Sequence, residues 1–222
     1  MTSAYQPPNT RSSQGCPERA APPGGMLARP RRSLYTVSSE PSLWTVRQHM
    51  HRRENDMDPQ LKTFIDQCRE CLTAQPGAAG RHAGAERLQA LLSDQAFIDR
   101  IIPPQTGERE LLYEDPDLGF CVLAHNYLTA KNSTPHDHAH SWAIYGQARG
   151  ETAMSDYALI EPATSDRPGK VKTVRTYALT PGVAHVYNEG DLHAPTRAAP
   201  TSLIRIEGTN MARVQRLSYE AI

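Results

Sequence analysis

The sequence has few of the features that would place the protein in a membrane or on a nucleic acid. None of its apolar runs approaches the roughly 18 residues that a membrane-spanning helix needs. Basic and acidic residues number 24 each among 222, so the formal net charge is zero and a strongly basic nucleic-acid-binding protein is not expected. Aromatic residues make up only 6%. The length fits one ordinary domain with tails, or at most two small ones.

Several well-known catalytic motifs are also missing. The sequence contains no Gly-x-Gly-x-x-Gly, no P-loop and no Gly-x-Ser-x-Gly. Of four cysteines, only Cys68 and Cys71 are close, and they fall inside a helical pattern without a second pair. We therefore interpret them as half-buried thiols rather than a zinc or redox site. With no apolar secretory leader, the sequence predicts a soluble, cytoplasmic protein without membrane or nucleic-acid partners.

The first 56 residues differ in composition from the rest. They hold eight arginines, no lysine, four acidic residues and seven of the 18 prolines, and they show no sustained apolar period. Such a stretch buries too little surface to offset its ordering entropy, so we predict a disordered Pro/Arg-rich extension over residues 1–56. An organelle transit peptide is the alternative, but proline-rich segments form poor amphipathic helices. Met57 is then a natural start for the folded unit.

Two patterns divide the remainder. Residues 57–107 predict a short helical lead-in, with helices from Pro59, over about 81–92 and after Asp94, because apolar residues repeat at helical spacing behind capping residues. From residue 108 the period changes to two, and turn signals separate short segments. We predict an all-β sandwich or barrel over 108–222, with strands at 109–114, 119–128, 141–149, 151–160, 171–179, 183–187, 193–198, 201–208 and 212–218.

Histidine carries the strongest functional signal. His136, His138 and His140 lie in one short segment, and residues i and i+2 of a strand project from the same face. His136 and His138 can therefore reach one point and form half of a metal site, with a third ligand from another strand. His193 is the candidate. We interpret His140 as a rim residue, and we interpret His125 and His185 as structural histidines.

Both segments resemble the two sequence motifs of the cupin superfamily. His136, His138 and Gly150 occupy the first motif, with Ala143 where a ligand carboxylate is usual. Gly182, Gly190 and His193 match the spacing of the second motif, with Arg197 in place of its usual asparagine. The resemblance covers about residues 108–211. It implies a cupin fold, that is, a jelly-roll β-barrel of the double-stranded β-helix type, and a metal site of three histidines.

A three-His cupin without the carboxylate ligand is similar to the thiol dioxygenases, the cysteine and 3-mercaptopropionate dioxygenase group. Thr134-Pro135-His136-Asp137-His138 and Gly190-Asp191-Leu192-His193 carry this resemblance. It implies Fe(II), molecular oxygen and a small anionic substrate that binds the iron directly. Three neutral imidazoles leave the metal its full 2+ charge, which favours an anionic ligand.

The sequence departs from that family on a late strand. Leu203, Arg205 and Glu207 stand where the family has Ser-x-His-x-Tyr. Arg205 is therefore one candidate for holding a substrate anion, and Arg109, at the position of the family's carboxylate-binding arginine, is another. Tyr145 and Trp142, on either side of Ala143, are candidate pocket walls.

Two other functions stay open. The same ligands would serve a dioxygenase that cleaves a C–C bond in a β-diketone or a hydroxylated aromatic acid. A cupin that binds a small molecule without catalysis is the third possibility, since one fold hosts many functions. The sequence indicates no particular oligomeric state.

Overall fold

A computed structural model describes residues 57–222, and the predicted extension over residues 1–56 lies outside the described residues. Three helices come first: α1 (Pro59–Ala74), α2 (Ala78–Leu92) and α3 (Gln95–Ile101). Asp58 begins α1 by accepting hydrogen bonds from the backbone N–H groups of Gln60 and Leu61. Asp94 caps α3 in the same way, through the N–H of Phe97. The three predicted helices are confirmed, although α2 begins earlier than expected, directly after Gly77.

Ten strands follow and form two five-stranded sheets. The first sheet has the order β1-β2-β9-β4-β7 and the second the order β10-β6-β5-β8-β3. All neighbours pair antiparallel except β10 and β6. The strands are β1 (Glu110–Glu114), β2 (Cys121–Tyr127), β3 (Lys131–Asn132), β4 (Ala143–Arg149), β5 (Thr152–Glu161), β6 (Gly169–Leu179), β7 (Ala184–Tyr187), β8 (Leu192–Arg197), β9 (Thr201–Glu207) and β10 (Tyr219–Ala221).

The prediction was wrong at two places. A strand was expected over 212–218, but Met211–Arg213 form a single 3-10 turn, which Asn210 caps by accepting a hydrogen bond from the N–H of Ala212. The chain pairs again only at β10. Conversely, β3 lies in a segment that was predicted as a turn. Its two residues form a strand only because Thr196 and Arg197 of β8 lie opposite them.

Alternation along the first sheet separates two apolar clusters. Even-numbered residues of its strands, such as Ile144 and Ile204, pack against the buried faces of the helices. Odd-numbered residues, such as Tyr145 and Leu203, point between the sheets and meet Met154 of β5. Helix α2 lies so close to β4 that a Cβ on Gly146 would stand 2.6 Å from the Leu88 Cδ2 atom. The helices thus cover one side of the sheet, and the other side lines the interior of the barrel.

This arrangement is the predicted fold: an all-β cupin barrel of two facing sheets, preceded by a short helical lead-in. Antiparallel sheets bury one face and close on each other, which brings side chains from distant strands to one interior. Among residues 57–222, no helix is long and apolar enough to cross a membrane.

Candidate metal centre and cavity

His136, His138 and His193 come together between the sheets. His136 pairs with His193 through two backbone hydrogen bonds, of 3.0 Å from its own N–H and 2.9 Å from the N–H of His193. His138 follows two residues later, immediately before a turn at Ala139, whose φ is +52°. One potential ligand atom from each histidine lies within 4.8 Å of the others. In the described part of the chain, no carboxylate or thiol joins this group.

The prediction placed His136 and His138 on a regular strand, but their segment is not a regular strand. Only His136 bridges to β8, and the chain turns away after His138. The two imidazoles nevertheless lie close together, with their ring centroids 5.9 Å apart. His140 lies in the turn and is exposed, and it is not part of the three-His group.

Local contacts orient the rings. The Nδ1 atoms of His136 and His193 lie 2.8 Å and 3.0 Å from the carbonyl oxygens of Thr134 and Asp191. A carbonyl oxygen can only accept, so Nδ1–H is the donor in both rings and each Nε2 keeps a free lone pair. The Tyr187 ring stacks on the His193 imidazole with centroids 3.9 Å apart and so restricts its orientation. The neutral tautomers are those that metal binding through Nε2 requires.

Burial keeps these imidazoles uncharged at neutral pH. It lowers the pKa of His136 to about 4 and that of His138 to about 2. The pKa of His193 also falls well below its usual value, again mainly by burial and further by the two neighbouring histidines. Removing a charged form from water is unfavourable, and a metal ligand must be unprotonated. The group is thus ready to bind a cation without first losing protons.

Tyr145 lies at the edge of the group. Its hydroxyl is 3.3 Å from the Nε2 atom of His138 and 3.4 Å from that of His193. Trp142 immediately precedes β4 and points to the helix side of the sheet, where Gly208 allows its ring a close approach and the Arg81 guanidinium lies 5.4 Å from the ring centroid. It packs with the helices. The structure therefore brings Tyr145 to the site but not Trp142, because an odd spacing on a strand puts two side chains on opposite faces.

A cavity of about 660 Å³ opens beside His136 and His138, and we call it the positive cavity. Tyr145 lines it together with these two histidines. Its charged wall consists of the basic residues Arg109, Lys131, Arg197, Arg205 and Arg216, and the acidic residues Glu108 and Glu207. Five positive side chains against two negative ones, next to a potential cation site, favour a negatively charged ligand.

Glu207 organises part of this wall. It is fully buried and accepts hydrogen bonds from Arg109 Nη2 at 3.0 Å, from Arg205 Nη1 at 3.3 Å and from the backbone N–H of Met211 at 3.1 Å. Arg109 also donates to the side chain of Asn210. Both arginines that the sequence suggested as anchors thus lie at the cavity, but they share one carboxylate.

Two residues at the cavity were not on the predicted site. His125 is buried and donates its Nδ1–H to the carbonyl of Glu108 at 2.7 Å, which leaves Nε2 without a partner among residues 57–222. Arg197 is also buried, at the end of β8. The sequence did contain a signal for Arg197. It lies an even number of residues after His193 on the same strand, so both side chains face the same side of the sheet.

The fold and this site together define a cupin barrel with a three-His group suited to a metal ion. No protein-family model and no curated protein sequence matches the chain. Among solved structures, KdgF from Halomonas sp. is 17% identical with a TM-score of 0.35, over 45% of this chain and 74% of that one.

Two further solved structures bear the cupin name. A cupin-2 domain protein from Shewanella frigidimarina is 15% identical with a TM-score of 0.33, over 46% of this chain and 80% of that one. A cupin superfamily protein from Desulfitobacterium hafniense is 9% identical with a TM-score of 0.35, over 52% and 87%. The assignment of this chain to the fold follows from its own strand order and from the arrangement of its three histidines.

Proposed function

We propose that this protein is a mononuclear non-haem iron dioxygenase of the thiol-dioxygenase type, which uses O₂ to oxidise a small anionic substrate. Fe(II) would be held by His136, His138 and His193. The observation that carries this proposal is the convergence of three neutral imidazoles, within 4.8 Å, two of which, those of His136 and His138, line the positive cavity.

The residues present fit a divalent metal ion. Imidazole nitrogen suits iron, zinc and copper, and three such ligands on one face leave positions open on the other. Ala143, which is buried, stands at the position where the resemblance to cupins implies a carboxylate ligand, and a carboxylate there would reduce the metal's charge. The bound metal would supply a site where the substrate and O₂ meet.

The chain's own groups would then orient the substrate and exclude water. The Tyr145 hydroxyl, between His138 and His193, is placed to donate a hydrogen bond to an anionic atom of the substrate in the cavity. Burial is the main cause of the raised pKa of Tyr145, so its proton is retained at neutral pH. Arg205, whose guanidinium lies 4.1 Å from the centroid of the Tyr145 ring, and Arg109 would attract the anion, as a positive cleft does for a negative ligand.

The first experiment measures metal content and oxygen consumption together. Protein loaded with Fe(II) should hold one iron per chain, and His193→Ala should lose most of it. His140→Ala is the matched control, because His140 belongs to the same short segment yet is exposed and outside the group. Retention of iron by His193→Ala at the wild-type level would refute the metal site.

Oxygen consumption by the iron-loaded protein then separates an enzyme from a binding protein. A panel of small thiols should include at least one substrate that is oxidised with O₂ uptake. If iron binds but no compound in a broad panel of thiols, diketones and aromatic acids supports O₂ uptake, the protein is a binding cupin and the enzymatic proposal fails.

A second candidate function is favoured by the wall of the cavity. Leu203, Arg205 and Glu207 replace the Ser-x-His-x-Tyr side chains of the thiol dioxygenases. A three-His dioxygenase that cleaves a C–C bond in a β-diketone or a hydroxylated aromatic acid would use the same ligands. O₂ uptake with a diketone but with no thiol would support it over the first proposal.

A further inference from the structure

Arg197 is a buried cation without a counter-ion in the described structure. Its exposed fraction is only 1%, and its Nε and Nη2 atoms have no hydrogen-bond partner among residues 57–222. No salt bridge joins it to a carboxylate in that part of the chain. An arginine in this state is unfavourable unless something accepts its hydrogen bonds, since a buried unpaired charge is among the costliest groups in a protein.

The residues around the Arg197 guanidinium orient it but do not accept its hydrogen bonds. The Arg197 Cζ atom lies 4.4 Å from the centroid of the Tyr127 ring, so one face of the planar group is covered by an aromatic surface. A cation–π contact of this kind orients a guanidinium but leaves its N–H edges free. Burial lowers the pKa of Arg197, as expected for a charge removed from water.

Three of the other four basic residues of the cavity are already paired, and the fourth, Arg216, is exposed to solvent. Lys131 contacts Glu108, and Arg109 and Arg205 share Glu207. Arg205 has one further free donor, a buried Nε without a partner. The buried hydrogen-bond donors without a partner thus lie on Arg197 and Arg205. The positive charge of Arg205 also lowers the pKa of Arg197, although burial has the larger effect.

From these observations we infer that Arg197, assisted by Arg205, forms an anion subsite separate from the three histidines, which holds a carboxylate of the substrate. His193 and Arg197 lie four residues apart on β8, about 13 Å between Cα atoms, and the side chain of Arg197 faces the positive cavity. The substrate would then place one end at the metal and its carboxylate at Arg197. That this ligand is a substrate rests on the proposed function, but the subsite itself does not.

The chemistry selects a carboxylate over a phosphate. A planar carboxylate with one negative charge matches the fork of a single free guanidinium. A phosphate carries more negative charge and would lie near the buried carboxylate of Glu207, which already pairs with Arg109 and Arg205. Repulsion from Glu207 would offset much of its attraction to Arg197.

The test uses the metal-free full-length protein, so that it is independent of any reaction. Propionate is titrated by calorimetry at constant ionic strength, and it should bind to the wild type. Arg197→Met should weaken binding at least tenfold, the loss expected for a charge-assisted hydrogen bond. Arg87→Met, an exposed arginine on α2, is the matched control and should bind like the wild type. His193→Ala should also keep propionate binding, because the subsite does not include the histidines.

Each alternative has its own outcome. Equal affinity of Arg197→Met and wild type, or no binding of propionate to the wild type at all, would overturn the subsite. Loss of binding in His193→Ala but not in Arg197→Met would place the anion at the histidines instead. Tighter binding of inorganic phosphate than of propionate would overturn the carboxylate class.

Folding of the variants is checked by circular dichroism. If Arg197→Met does not fold, Arg197→Lys is used; it keeps the charge but loses the fork, and it should bind propionate several-fold more weakly than the wild type. Wild-type affinity in Arg197→Lys would overturn the role of the fork. Failure of iron binding or of oxygen uptake leaves these results unaffected, so the two proposals are tested separately.

Discussion

The buried carboxylate of Glu207 offers the most quantitative prediction. It is fully buried and compensates two arginines, Arg109 and Arg205, through hydrogen bonds of 3.0 Å and 3.3 Å. Removing one partner of a buried ion pair typically costs about 3–5 kcal/mol, because the other charge stays buried and unpaired. Glu207→Gln keeps the shape and can still accept from the N–H of Met211. We therefore expect a loss at the lower end, about 3 kcal/mol of unfolding free energy.

Urea unfolding of the metal-free protein at pH 7 measures this loss of unfolding free energy, and thermal unfolding measures it independently. In a folded region of this size, 1 kcal/mol shifts the melting temperature by roughly 2–4 °C, so Glu207→Gln should melt roughly 6–12 °C lower. Glu161→Gln is the control. It breaks a pair with Lys170 in which both side chains are nearly half exposed (44% and 45%), so it should lower the melting temperature far less than Glu207→Gln does. If the two variants lose equally little, Glu207 does not compensate a buried charge and the reasoning is wrong.

The same variant has a second signature that a purely structural role would not produce. With the charge of Glu207 removed, Arg205 gains free donors and an anion near Arg197 meets less repulsion. Added propionate should therefore raise the melting temperature of Glu207→Gln by more than that of the wild type. An equal or smaller increase would argue against an anion subsite on this wall.

Three further predictions concern pH, packing and the N-terminal extension. Burial lowers the pKa of His125 well below its usual value, so below about pH 6.5 the unfolded chain binds a proton that the folded chain does not. Stability should fall as the pH falls, and His125→Gln should flatten that slope by up to about 1.4 kcal/mol per pH unit in urea titrations. Leu88→Ala should cost about 3–5 kcal/mol; it should also make Gly146→Ala less harmful in a double-mutant cycle, because the added methyl would lie against Leu88. A chain that starts at Met57 should keep the thermal midpoint of the full chain in calorimetry; a clear drop would contradict the predicted extension.

Local signals in the sequence explain why most elements could be predicted. Asp58 and Asp94 cap helices through bonds within a few residues, and the apolar spacing behind them needs no distant partner. The change to a period of two gives the strands for the same reason. The expected strand over 212–218 was wrong because Asn210 satisfies the local backbone in a 3-10 turn, and β3 was missed because its pairing depends on β8.

Part of the candidate site could likewise be predicted from local features of the sequence. The spacing of His136 and His138 and the motif around His193 are properties of the sequence, and they were enough to predict the three-His group. Alternation alone also shows that Trp142 and Tyr145 cannot share a face, although the prediction placed both at the pocket.

Only the tertiary structure decided how the charges of the cavity are compensated. That Glu207 takes both Arg109 and Arg205, and that Arg197 is buried without a carboxylate in the described region, depends on which strands face each other across the barrel. A sequence specifies which side of a strand a residue faces, because alternation is local. It does not specify what lies opposite, because that depends on pairings between residues as distant as Arg109 and Glu207.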